Sequence, residues 1–309
     1  MNFVFSPDYT VDIGRHTFPT RKFSDVAKYL EARGHCAEDP GEAPRELILR
    51  AHCAEWTDKI LAGRVSLEEE ARMELRWSAE LARAHSKTVA GTLLAARKAL
   101  GSGLGLHAGG GSHHAFHDFA EGFCVFNDLA AALLELRAEG AIRRGAVVDL
   151  DVHQGNGTAA ILSGKEGLFT YSMHQDDIYP EEKPPSTLDV GLPAGTRDLK
   201  YLKLLKDTLP GFLDGTKPDL VVYQAGADVW EGDMLGGLSL TKDGIRARDE
   251  AVFRACGERG IAVAVTLGGG YAEKTEDTVE IHAQTLTTAI AASEKHTWLN
   301  LISEKQRTR

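Results

Sequence analysis

The run Ile261-Ala262-Val263-Ala264-Val265-Thr266-Leu267 constrains the fold more than any other stretch. Its apolar residues do not alternate with polar ones. A strand of this kind is covered on both faces, as in a parallel sheet held between helices. Three further runs read the same way: Ala146-Val147-Val148 leading into Asp149, Leu168 to Met173, and Asp219 to Tyr223. Helical stretches separate them, at roughly 127–140, 157–164, 198–213, 241–258 (capped by Thr241) and 276–294. Strands that alternate with helices build an α/β fold with a parallel sheet.

Before these runs the chain opens on a short strand, Phe3-Val4-Phe5, and a loop from His16 leads into a helix at roughly 22–33. On the residues alone, His16 and Arg21 read as surface groups near a turn. A turn at Pro40-Gly41 precedes helices over roughly 44–100, with breaks predicted near Gly63 and Ser86. Glu68-Glu69-Glu70 reads as a solvated helix face. Gly101 to Gly111 reads as a short strand and a glycine loop that lacks the Lys-Ser/Thr ending of a phosphate cradle. Its glycines make room for close backbone approach. With no repeat and no shift in composition, residues 1–309 read as a single domain, with a polar tail at about 296–309.

Composition narrows the function. No apolar run approaches ~18 residues, so no membrane-spanning helix is expected. The N-terminus shows no secretory leader pattern. Cys36, Cys53, Cys124 and Cys256 have no paired spacing, which argues for a reducing, cytoplasmic setting and against a disulfide frame or a cysteine–zinc site. The formal charge of −10 discourages binding to nucleic-acid phosphates or anionic membranes.

Reactive residues lie just past the apolar runs. Asp151 and His153 sit just beyond Asp149, two apart, so both side chains point one way on an extended chain. Asp228 comes after the run ending at Tyr223, Tyr271 after the one ending at Leu267, and the glycine loop delivers His113-His114. Ligands in open α/β sheets bind outside the carboxyl ends of the strands. Any one of these residues alone reads most simply as structural, and their convergence on one rim is the signal. Asp151, His153 and Asp228 form a three-ligand set with a position open for water and a carbonyl. A metal there polarises the carbonyl and acidifies water. One of the paired histidines moves the proton, and Tyr271 donates to the developing oxyanion.

Taken in order, Gly111-Ser112-His113-His114-Ala115, Gly122 to Asp128, Asp149 to Thr158, Ala225 to Asp228 with Leu235-Gly236-Gly237-Leu238, and Gly268 to Tyr271 resemble the zinc-dependent histone deacetylase family of the arginase/deacetylase superfamily. The segment His16-Thr17-Phe18 with Lys22-Phe23, and the compact length, are most similar to the class IV branch and its bacterial relatives. The resemblance implies one parallel sheet of about eight strands flanked by helices on both faces. It implies one Zn²⁺ on Asp151, His153 and Asp228, His114 as general base and His113 as its electrostatic partner. Asp149 and Asn156 orient the two imidazoles, and Tyr271 takes the oxyanion role. A structural K⁺ falls on Asp149, Asp151, His153, Ser172 and Met173. Phe123 and Tyr179 are the walls of an acyl-lysine channel, Gly122 offers it a carbonyl, Gly269 lines it and Leu235 stands at its mouth.

The resemblance also separates neighbouring activities. Two-manganese enzymes of the fold carry extra carboxylates where this chain has Gly155 and Trp230. Polyamine-selective members carry Glu where this chain has Leu235. The expected function is removal of acetyl or longer acyl groups from lysine ε-amines of peptides or proteins. Alternatives are deacetylation of small acetylated amines or other amide metabolites and, third, a non-enzymatic binding module.

Overall fold

Alternate residues of the apolar runs point to opposite faces, and both sets are buried. Val221 and Tyr223 join one apolar cluster while Leu220 and Val222 join another, and Val263 and Val265 are divided in the same way from Ala262 and Ala264. The structure, a computed structural model, describes residues 1–295. In chain order the elements are β1 (Asn2–Val4), α1 (Arg21–Glu31), β2 (Cys36–Glu38), α2 (Arg45–Ile48), α3 (Ala54–Leu61), α4 (Leu67–Met73), α5 (Ala79–Ser102), β3 (Leu104–Leu106), α6 (Asp128–Ala138), β4 (Gly145–Asp149), α7 (Asn156–Leu162), β5 (Leu168–Gln175), β6 (Leu188–Leu192), α8 (Asp198–Thr216), β7 (Leu220–Gln224), α9 (Lys242–Gly257), β8 (Ala262–Thr266) and α10 (Thr275–Lys295).

The central sheet has the order β3-β8-β7-β4-β5-β6, and every neighbouring pair is parallel. It has six strands, somewhat fewer than the number expected. The remaining two, β1 and β2, pair with each other, and β1 meets the main sheet only in a bridge from Val4 to His107. Helices cover both faces. Residues of α1, α8, α9 and α10 enclose one cluster, and those of α2, α3, α5, α6 and α7 enclose the other.

The predicted helices at 22–33, 127–140, 157–164, 198–213, 241–258 and 276–294 correspond to α1, α6, α7, α8, α9 and α10, and Thr241 caps α9 through its side chain. The break near Gly63 is present. The break near Ser86 is not: α5 runs through it, and the Ser86 hydroxyl accepts from Ala43 N at 3.1 Å. The break falls instead at Glu74, in the left-handed region (φ 58°), before the Ser78 cap of α5. Glu69 does more than face solvent, since it completes a capping box with Ser66 and pairs with Lys59. Strand β6 was not expected, because its five residues alternate in burial around Asp189 and Gly191 and never form an apolar run. The tail predicted at 296–309 lies outside the described residues.

Candidate active site

Four strands end on the same rim. The loop after β3 carries His113 and His114, that after β4 carries Asp151 and His153, that after β7 carries Asp228, and that after β8 carries Tyr271. Arg248, fully buried on α9, straps two of these loops together by donating to Leu150 O (3.2 Å) and Gly226 O (2.7 Å) while paired with Asp249. A buried cation is tolerated only with such satisfied partners.

The histidine pair is held by backbone clamps. Asp128 accepts from Gly111 N (3.0 Å) and Ser112 N (2.7 Å), and Gln224 Nε2 donates to Gly111 O at 2.9 Å. Gly111 has φ +103°, and a Cβ there would meet Gln224 Oε1 at 2.5 Å, so only glycine fits. Asn127 Nδ2 donates to Ala115 O at 3.0 Å. The two rings lie 4.0 Å apart between centroids. His113 Nδ1 is 2.8 Å from Asp149 Oδ2, and His114 Nδ1 is 2.7 Å from Asn156 Oδ1. Burial alone lowers the His113 pKa, but the charges of Asp149 and Asp151 prevail and raise it to about 9. Burial, reinforced by the charges of His113 and His153, holds His114 well below the usual imidazole range. His114 is therefore neutral. The Asn156 oxygen can only accept, so the proton of His114 sits on Nδ1 and Nε2 keeps its lone pair.

Beside this pair, Asp151, His153 and Asp228 bring three ligand atoms within 4.8 Å of one another, all buried. His153 Nδ1 is 3.2 Å from Asp151 Oδ1 and 3.4 Å from Asp228 Oδ2. Gly269 N donates to Asp151 Oδ2 at 2.8 Å and Val152 N to Asp228 Oδ1 at 3.0 Å. Asp228 Oδ2 is buried with no hydrogen-bond partner among the described residues. Two carboxylate oxygens and an imidazole nitrogen, one of them unpartnered, suit a divalent ion of the Zn²⁺ type. Burial, with the charge of Asp151, raises the Asp228 pKa to about 7. Burial opposes charge on His153, but its two carboxylate neighbours raise its pKa to about 10.

Tyr271 lies over this cluster, its ring 6.5 Å from that of His153. Burial and the charges of Asp151 and Asp228 push its pKa well above the usual phenol value, so it stays a donor. Asp233 fixes its backbone, accepting from Tyr271 N at 2.7 Å and from Leu235 N at 2.9 Å. Lys22, fully buried, donates to Gly268 O at 2.7 Å and lies 5.4 Å from the Tyr271 ring centre. Phe123 takes a left-handed backbone (φ 65°) and packs on His16, Phe18 and Tyr271. A cleft of about 300 Å³ opens over His114 and His153, with Phe123 and Tyr179 in its walls and Leu235 on its rim. A second cavity of about 60 Å³ adjoins it, sharing His114, Gly122, Phe123 and Tyr271 and lined further by Phe18, Leu81 and His85.

The predicted residues come together with few exceptions. Gly269 lines the adjoining cavity rather than the outer cleft, and its backbone lies so close to the cluster that a Cβ there would meet Asp228 Oδ2 at 1.9 Å. Gly155 has no room for a carboxylate, since a Cβ would meet Asp149 Oδ2 at 2.3 Å. Trp230 packs under Lys242. Asp149 and Ser172 are register partners, but the Ser172 hydroxyl bonds His174. His16 is no bystander on the surface, since it holds Glu74 O at 2.9 Å and faces Phe123. Arg21 does stay exposed, paired with Glu276. Sequence reading assigned no role to Asp233, Gln224, Asp128, Arg248, Lys22 or Glu121. Four of these are acids or amides and two, Arg248 and Lys22, are cations, and no local pattern marks such residues as partners of a site.

Comparison with known proteins places this geometry. Residues 16–286 match the family described as histone deacetylase domain. An uncharacterized protein of Picosynechococcus sp. is 38% identical, over 91% of this chain and 95% of its own. Histone deacetylase 2 of Arabidopsis thaliana is 32% identical, over 83% and 70%. The acetoin utilization protein AcuC of Bacillus subtilis is 28% identical, over 87% and 77%. The crystal structure of the HDA15 HD domain superposes with a TM-score of 0.79 at 21% identity, covering 98% of this chain and 94% of that one, which shows a common fold.

Proposed function

The chain belongs to the histone deacetylase family of hydrolases, and from that premise we propose that it is a Zn²⁺-dependent deacylase of lysine ε-amines. The observation that carries this reading is the buried Asp151–His153–Asp228 cluster at the foot of a cleft that His114 and Tyr271 also line. Zn²⁺ held there supplies Lewis acidity for the amide carbonyl and for water. The protein does the rest. Phe123 and Tyr179 hold the aliphatic stem of the substrate, and the Gly122 carbonyl accepts from the amide N–H. His114 Nε2 takes the proton of water and returns it to the leaving amine, while His113, held charged by Asp149, stabilises negative charge beside it. Tyr271 donates to the oxyanion.

K⁺ on Asp149, Asp151, His153, Ser172 and Met173 completes the proposed site. The free cysteines fit a cytoplasmic setting. Among the described residues no helix is long and apolar enough to cross a membrane. The second reading, a small acetylated amine, draws on the likeness to AcuC. The apolar Leu235 at the rim, where a cationic amine calls for a carboxylate, favours the peptide.

The test is chelator-sensitive release of acid from peptides bearing acetyl, butyryl, octanoyl or myristoyl lysine, compared by kcat/KM with small acetylated amines. Turnover of at least one peptide above every small amide is expected. Zinc-loaded protein that leaves the whole panel untouched would refute the reading.

Metal uptake has its own signature. Below its folded pKa of about 10 the His153 imidazole is protonated, and Zn²⁺ must displace that proton. Loading at pH 8 therefore releases about one proton per ion from this group, and affinity rises with pH until the pH reaches that pKa. Titration calorimetry in buffers of different ionisation heat measures this. An affinity independent of pH would contradict it.

A further inference from the structure

We propose that Glu121 is a positioning residue for the base: its carboxylate locks the Asn156 amide, and the amide in turn sets the tautomer of His114. The inference rests on the deacylase reading for its kinetic consequence and on geometry for everything else. Glu121 lies just ahead of the channel residues Gly122 and Phe123, in a tight turn where Cys124 N donates to Glu121 O at 3.0 Å. Its Oε1 is 2.5 Å from Asn156 Nδ2. The other end of that amide, Oδ1, accepts from Gly157 N at 3.0 Å and lies 2.7 Å from His114 Nδ1. Glu121 thus continues a chain of hydrogen bonds that begins at the imidazole.

The two ends of an asparagine amide are nearly the same shape, and only their partners decide which way it faces. A carboxylate accepts and never donates, so Glu121 demands the NH₂ end. A flipped amide would set oxygen against carboxylate and NH₂ against the Gly157 N–H. It would also present a donor to His114 Nδ1, forcing the proton of the ring to Nε2. In that tautomer Nε2 has no lone pair to take a proton from water. The charge-assisted bond from Asn156 to Glu121 is the strong member of the set and makes the flip costly. Hydrogen-bonded chains also polarise one another, so the charge of Glu121 stabilises positive charge on His114 after proton transfer.

Burial, with the charge of the same carboxylate, holds the Tyr179 hydroxyl above the usual phenol range. Tyr179 is 40% exposed in the cleft wall, and its ring lies 5.0 Å from that of His114. Glu121 therefore joins the channel wall to the base relay. A role confined to the wall predicts a change in KM. A role in the relay predicts a change in kcat.

Kinetics of zinc-loaded wild type, Glu121→Gln and Glu121→Ala, together with ¹⁵N spectra of the imidazoles, separate these. Glutamine keeps an acceptor but loses the charge. We expect kcat to fall about 10–100-fold in Glu121→Ala and less in Glu121→Gln, at unchanged zinc content, with KM unchanged in the glutamine variant. We also expect the ¹⁵N shifts of His114 to show a pure Nδ1–H tautomer in wild type and a loss of that purity in Glu121→Ala. Wild-type kcat in both variants, or a glutamine variant altered only in KM, overturns the inference. A pure Nδ1–H tautomer in Glu121→Ala overturns it too, and this readout stands without turnover. If wild-type protein turns over no acyl-lysine peptide, it is the deacylase reading that fails, and the tautomer alone decides the role of Glu121.

Discussion

Asp228→Asn leaves a folded protein that no longer retains zinc and no longer turns over substrate. Asp228 is fully buried. Its Oδ1 accepts from Val152 N, a bond that asparagine can keep, while its Oδ2 has no hydrogen-bond partner among the described residues and is ion-paired with His153 Nδ1 at 3.4 Å. Asparagine removes one of the two negative charges in the cluster and directs either an NH₂ or a neutral oxygen at the ion. Losing the Lewis acid removes several kcal/mol of transition-state stabilisation, about a thousandfold or more in kcat/KM. Unfolding does not explain the loss. Burial, with the charge of Asp151, raises the Asp228 pKa to about 7. A carboxyl whose pKa rises on folding opposes folding as pH climbs past its unfolded value near 4. Neutral asparagine relieves that cost, so the thermal midpoint of the metal-free variant does not drop. Elemental analysis, kinetics and thermal melts check the three statements. A variant that keeps stoichiometric zinc and wild-type turnover would remove Asp228 from the centre.

His114→Ala lowers kcat by about 10²–10⁴ and leaves zinc content and KM near wild type. The reason is division of labour between two adjacent rings. His113 is held charged by Asp149, so its proton is not available for exchange near neutral pH. His114, deeply buried beside the charged His113, stays neutral and has Nε2 free. Removing His114 therefore removes the base without touching a metal ligand. Undiminished kcat in this variant would assign proton transfer to another group. If the cellular phenotype also survived, the binding-module reading would take precedence over the enzyme.

Much of this site is legible in the amino-acid order. The apolar run at 261–267 and its three companions signal strands buried on both faces, and the residues beyond the runs include Asp151, His153, Asp228 and Tyr271. The pattern is local, since residues a few positions past the end of a buried strand must emerge at the sheet rim. Short or alternating segments carry no such signal. Asp189 and Gly191 conceal β6, and Ser86 looks like a helix break because its tether to Ala43 lies far away in sequence.

The sequence by itself determined the parallel α/β architecture and the rim on which Asp151, His153 and Asp228 gather, because burial periodicity and strand-end position are properties of short stretches. Only the tertiary structure decided the strand order β3-β8-β7-β4-β5-β6 and, with it, which partners hold the reactive groups. Glu121 reaches Asn156 across 35 residues, Asp233 reaches Tyr271 across 38 and Lys22 reaches Gly268 across 246. Hydrogen bonds form only where donor and acceptor meet at about 3 Å with the right direction, and no local pattern encodes such meetings between distant segments.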